Sequence, residues 1–148
     1  MNDQPCCFVV VRHGETKRRL AALKDAHCPV EKRAAYPADF LAEAPVVVAV
    51  CVERSRAHGR ARENGILATA YLLLAAHERG LAGVYLSAYQ PEGTALALEI
   101  ARLLDLPPEI EPVTLIPLGY PAEGPPPKAM REMTALIHHE TFGRGRQG

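Results

Sequence analysis

The 148 residues include no Trp, only four Cys and no excess of charge of either sign. Seventeen Lys and Arg are matched by seventeen Asp and Glu, so the basic surplus that nucleic-acid binding requires is missing. The longest apolar stretch, Ile66 to Ala76, is broken by Thr69 and is too short to cross a bilayer. The N-terminus lacks a basic segment followed by an apolar run, so no signal peptide is expected. Cys6, Cys7, Cys28 and Cys51 lack zinc-type spacing, and reduced thiols in a cytoplasmic protein are the simplest expectation. Neither nucleic acid nor membrane is expected as a partner.

What is present reads as alternating strands and helices. Cys7 to Arg12 is expected to be a buried strand, being short, β-branched and followed by Gly14. Glu15 to Lys24 has helical spacing, with Leu20 and Leu23 on one face and Lys17, Arg18 and Arg19 exposed. Asp25 to Ala38 shows no period and is read as loop, and "ADFLAEAP" as one or two helical turns ended by Pro45. "PVVVAVCVE" is apolar on both faces and should be a central strand. The longest helix is expected over about Arg62 to Arg79, closed by Gly80. Apolar positions nearly encircle it, which predicts burial.

"GVYLSAY" reads as a third strand and "EGTALALEIARLLDLP" as an amphipathic helix stopped by Pro107 and Pro108. "IEPVTLIPLGYP" is a fourth strand, and its internal Pro112 and Pro117 argue for an edge or an irregular ladder. A Pro-rich loop, "PAEGPPPK", precedes a last helix over about Lys128 to His139. This order predicts a single domain, residues 1–148, with helices packed on a sheet.

"FVVVRHGET" runs from a strand into Arg12-His13-Gly14-Glu15-Thr16 and resembles the signature of the histidine phosphatase family. That resemblance implies a nucleophilic His13 with Arg12 holding phosphoryl oxygens, chemistry suited to an imidazole and a guanidinium. The family also needs a second histidine at the end of a later strand. His58 follows a strand only loosely, and His138 and His139 fall in the expected last helix. The plainer reading is a solvated turn in which Glu15 and Thr16 open a helix. Likewise, His138-His139-Glu140 reads as a solvated helix end, because adjacent residues point to different faces. Cys6 and Cys7 are strand neighbours on opposite faces, expected to serve packing.

A second set of motifs occurs in a specific order. "NDQP" precedes the first strand, and "ATAYLLLAAHERGLAGVYLSAY" follows in mid-chain. After it come "IARLLDLPPEIEPVTLIPLGYPAEGPPPK" and a closing "IHHETF". Together these resemble the FMN-dependent nitroreductase family: its N-x-Q-P-W element, buried central helix, L-x-L-P turn, G-Y-P loop and closing V-H-x-E-x-W/F. The resemblance implies an α+β fold, a mixed β-sheet sandwiched by helices. It also implies a homodimer with flavin at the subunit interface, bound FMN, and NAD(P)H as electron donor. The small oxidants would be nitroaromatics, quinones or similar molecules, reduced by ping-pong hydride transfer.

The site residues that the resemblance implies are Asn2 and Gln4 toward the flavin ring or ribityl chain. Ser87 and Ala88 fall at the strand end that presents a backbone N–H to flavin N5, and Lys128 and Arg131 at the phosphate. No catalytic side chain and no metal is implied, since the flavin carries the chemistry. Two departures stand out. The family's helices before N-x-Q-P, with their R-R-S-x-R segment, have no counterpart here, so "MNDQP" looks like the interior of a longer fold. Tyr71 stands where the family commonly has Asn. A folded family member that has lost flavin binding is therefore the main alternative.

Overall fold

Val46–Glu53 forms β2, whose Val- and Ala-rich run is buried on both faces, as its lack of alternation predicts. In the computed structural model, which describes residues 3–34, 37–90, 93–122, 124 and 127–144, this strand lies inside a five-stranded sheet. β1 (Cys6–Val11) pairs with one side of β2 and β5 (Ile110–Gly119) with the other. Two short strands, β3 (Ala82–Gly83) and β4 (Leu86–Ser87), share the far side of β5. The α+β class holds, and the sheet expected to be mixed is antiparallel in every pairing among the described residues.

Helices cover both faces. Among the described residues five α-helices occur, in chain order α1 (Gly14–Ala26), α2 (Val30–Arg33), α3 (Phe40–Glu43), α4 (Ala61–Glu78) and α5 (Ala95–Leu103). Leu20 and Ala21 of α1, Leu41 of α3, and Leu96 and Ile100 of α5 meet Val47, Ala49, Cys51 and Leu115 in the main core. α4 crosses the opposite face over β2 and β5. It approaches closely because Gly65 has no side chain: a Cβ there would stand 2.6 Å from the Val113 Cβ. One turn on, the buried Thr69 hydroxyl donates to the Gly65 carbonyl at 2.8 Å and meets the Thr114 hydroxyl at 2.6 Å. Gly80, at φ +73°, closes this helix where only glycine is unstrained.

Several expectations are corrected. β1 is an edge strand, not a buried one; Cys7, Phe8 and Val10 are exposed. α4 is buried on one face only, with Tyr71 72 % and Leu74 67 % exposed, because nothing among the described residues packs on its outer side. Lys17 is buried on the Leu20 face, and its ammonium donates to the Ala44 carbonyl. The loop after α1 contains the single turn α2.

The third strand is split in two. The register places residue 84 opposite Pro117 and residue 85 opposite Ile116, and a proline without N–H interrupts the ladder there. β5 itself is internal and irregular: its register against β2 shifts between Val50 and Cys51, just where Pro112 enters. The expected last helix is reduced to a 3₁₀ turn at Met133–Ala135. Met130, Met133, Leu136 and Ile137 remain exposed, so helix formation gains no burial to offset its nucleation cost. No helix among the described residues is long and apolar enough to cross a membrane.

Candidate functional site

The open edge of β4 is where chemistry can gather. Ala88, fully buried, donates its N–H to the Val113 carbonyl at 2.9 Å. In an antiparallel ladder, groups alternate sides. The N–H and C=O of Ser87 therefore turn away from β5, and the carbonyl accepts from the Lys24 Nζ at 2.8 Å. A second tie runs from the same segment, where the Gln90 Nε2 donates to the His27 carbonyl at 2.9 Å. His27 in turn pairs with Glu99 through Nε2 and Oε1 at 3.1 Å. Three side-chain links thus hold the end of α1, the 87–90 segment and α5 together.

Between them lies a cavity of about 900 Å³. Its apolar walls include Phe40, Tyr85, Leu86 and Leu96, and its charged side chains are Lys24, Lys32 and Asp25, with the paired His27. Burial pushes the Lys24 ammonium below its ordinary range, and the nearby Cys28 opposes this weakly. Burial, followed by the hydrogen bond and charge of Tyr89, raises the Tyr85 phenol to about 12. Asp25 uses Oδ1 to accept the Ala38 N–H at 3.0 Å. A second cavity of about 560 Å³ lies between α5 and the start of β5, where the Arg62 guanidinium stacks 4.4 Å from the Tyr89 ring centroid.

The sequence-implied residues are scattered relative to this place. Ser87 lines the larger cavity, and Ala88 lies beneath it in the core with its N–H already committed. Of the two residues at the strand end, Ser87 turns its N–H to the open edge, whereas the Ala88 N–H is directed at β5. Gln4 has a left-handed backbone, φ 45°, beside Asp3, whose carboxylate takes the His58 Nε2 at 2.6 Å. Asn2 lies outside the described residues. Lys128 and Arg131 are exposed and line neither cavity, and the Arg131 Nη2 donates to the Ala135 carbonyl at 3.1 Å.

The residues that sequence reasoning missed are Lys24, Tyr85, His27 and Gln90. A signal for Lys24 existed: Lys17, Leu20, Ala21 and Lys24 fall on one helical face, so the spacing that buries Leu20 also turns both lysines inward. Arg12 and His13 form an exposed strand-to-helix turn, with the His13 carbonyl accepting the Lys17 N–H at 3.1 Å. Neither lines either of the two cavities above, and among the described residues His58 forms an ion pair with Asp3.

The pattern of the nitroreductase family matches residues 1–120. The chain belongs to the nitroreductase family. It is 33% identical, over 84% of its length, to a Methanothermobacter thermautotrophicus protein named as an NADH dehydrogenase/NAD(P)H nitroreductase, of which it spans 60%. It is 36% identical, over 96% of its length and 78% of the relative's, to an iodotyrosine deiodinase of Thermotoga neapolitana. The crystal structure of an oxidised iodotyrosine deiodinase bound to FMN and 3-iodo-L-tyrosine superposes with a TM-score of 0.69. That likeness covers 96% of this chain and 79% of the other, at 28% identity. The antiparallel sheet with helices on both faces is thus a nitroreductase fold that spans about three-fifths of the archaeal relative's length.

Proposed function

We propose that this nitroreductase-family chain is an FMN-dependent NAD(P)H oxidoreductase that reduces nitroaromatics, quinones or similar small oxidants, and that it acts as a homodimer. The observation that carries the reading is the open edge at Ser87, a backbone donor beside a half-buried ammonium at the mouth of a largely apolar cavity. A flavin ring needs an apolar slot, polar groups for its edge and cations for its phosphate, and the residues present fit the first two at this place. Bound FMN would supply the two-electron chemistry, filled by NAD(P)H and emptied into the oxidant in a separate half-reaction.

The chain's own groups then have distinct tasks. Ser87 would offer its N–H to the flavin from a strand held in place by Ala88 beneath it. Lys24 fixes the Ser87 carbonyl and so sets the direction of that donor. Gln4 and Asn2 would hold the ring or ribityl chain, and Lys128 and Arg131 would hold the phosphate. The exposed apolar face of β1 and α4 (Phe8, Val10, Leu67, Tyr71 and Leu74) is the surface for a second copy. NAD(P)H nitroreductase and FMN in the names of related proteins support this reading.

An absorbance spectrum of the protein, before and after dialysis against FMN, tests it. A flavin band that bleaches on adding NAD(P)H is expected. A colourless protein that takes up no FMN favours the second reading, a folded member without flavin. The exposure of Lys128 and Arg131 away from both cavities is the observation that favours that alternative.

A further inference from the structure

Cys7 of β1 and Cys51 of β2 stand directly opposite each other in the antiparallel register. Opposed residues share a face of the sheet, so both thiols project from the side that carries Val9 and Val11. Their side chains are hydrogen-bonded to each other. The Glu53 N–H donates to the Pro5 carbonyl at 2.8 Å, and alternation along the ladder makes Cys7 and Cys51 the next hydrogen-bonded pair. The Cα atoms of such a pair lie about 5.5 Å apart, within the roughly 4.4–6.8 Å that a disulfide bridges. Cys51 is fully buried, whereas Cys7 is exposed among the described residues. Cys6 is no rival for Cys51: it projects from the other face, where its thiol donates to the Asn64 carbonyl at 3.6 Å.

We propose that Cys7 and Cys51 are a reversible dithiol–disulfide pair, oxidised through Cys7 by a small-molecule disulfide into a covalent clasp between β1 and β2. The exposed Cys7 is the point of entry. Its thiolate attacks one sulfur of the small disulfide and expels the other half as a thiol, leaving a mixed disulfide on Cys7. Cys51 then gives up its proton, its sulfur attacks the Cys7 sulfur, and the second half of the small molecule leaves. The two protein thiols lose two electrons, and one small disulfide becomes two small thiols that carry the two protons. Burial pushes both protein thiols above their ordinary range, Cys51 to about 12, which slows the second attack. The register offsets this by holding the two sulfurs together at high effective concentration. Reduction reverses the steps, with a small thiol attacking the exposed Cys7 sulfur. The clasp joins the edge strand to its ladder partner among the described residues. Phe8 and Val10, on the surface proposed for a second copy, flank Cys7 from the opposite face or further along β1, so that contact leaves the pair's face uncovered.

The test is equilibration of the full, pre-reduced chain with oxidised glutathione, followed by thiol blocking, trypsin digestion and mass spectrometry. Cys6 and Cys7 fall in the tryptic peptide 1–12, Cys28 in 25–32 and Cys51 in 34–54. In the native protein the link between 1–12 and 34–54 is expected in at least tenfold excess over the link between 1–12 and 25–32. In concentrated urea the shorter loop to Cys28 should gain over the longer one, because the register no longer selects the partner. Differential alkylation should place the native link on Cys7, with Cys6 free, and dithiothreitol should restore both thiols. Cys6→Ser should retain the link and Cys7→Ser should lose it. Three results on the wild type alone would overturn the proposal, whatever the variants do. They are a native link made by Cys6, a native link chiefly to Cys28, and a glutathione adduct that stays on Cys7 unresolved.

Discussion

Cys51 shows what burial does to a single group. It is fully buried in β2 opposite Cys7, and desolvation first, then the Cys7 charge and hydrogen bond, raise its thiol from 9.0 to about 12. An acid with a raised folded-state pKa contributes its full stability below the unfolded value. It loses that contribution as pH rises toward the folded value, because the unfolded chain then releases a proton that the fold retains. Unfolding free energy should therefore fall by roughly 2 kcal/mol between about pH 8.5 and 10.5 from this thiol. Lys24, with its lowered pKa, acts in the opposite direction over the alkaline range. Urea titrations of wild type and Cys51→Ala at both pH values provide the check. The variant should be less stable at the lower pH but decline less steeply, and parallel profiles would refute the assignment. Exposed Cys7, by contrast, should be alkylated while Cys51 resists.

At the scale of the element, α4 is set on the sheet by one missing side chain and one hydroxyl pair. Gly65 in mid-helix costs about 1 kcal/mol of propensity relative to Ala, yet a Cβ there collides with Val113 at 2.6 Å. Overpacking typically costs about 1–3 kcal/mol, so Gly65→Ala should lower stability by up to about 2 kcal/mol despite the better helix former. A urea midpoint at or above that of wild type would show that the helix can slide and that the close approach is not required. The Thr69–Thr114 contact argues against sliding, since a displaced α4 would leave a buried hydroxyl without its partner. The same helix displays the limit of periodicity. Its encircling apolar positions predict burial, but only the Gly65, Thr69 and Ala76 face meets the sheet.

For the molecule as a whole, that unburied face matters most. Phe8 and Val10 on the edge strand adjoin Tyr71 and Leu72 on α4 in one apolar depression. A second copy of the chain is the proposed cover. Sizing by multi-angle light scattering should give a dimer for wild type. Tyr71→Asp, which places a charge on a residue already 72 % exposed, should give a folded monomer with little change in intrinsic stability. A monomeric wild type at tens of micromolar would remove the dimer from the account.

The sequence by itself determined the first two strands, the long helix, the amphipathic helix and the last strand, though not the helix expected after them. Local pattern is enough for β2, α4 and α5, because a Val-rich run, a Gly stop and an amphipathic repeat each act within a few residues. It also carried the family, through ordered motifs spread from "NDQP" to "GYP". It did not determine which side of each element would face a neighbour. β1 became an edge, β5 became internal despite two prolines, and Lys17 and Lys24 turned inward. Those outcomes depend on long-range pairing: Pro117 is tolerated because the facing strand breaks opposite it, and Lys24 matters because Ser87, far along the chain, presents a carbonyl to it. The cavity is likewise tertiary, since its walls come from α1, the segment before β2, β4 and α5, whose meeting no local spacing encodes.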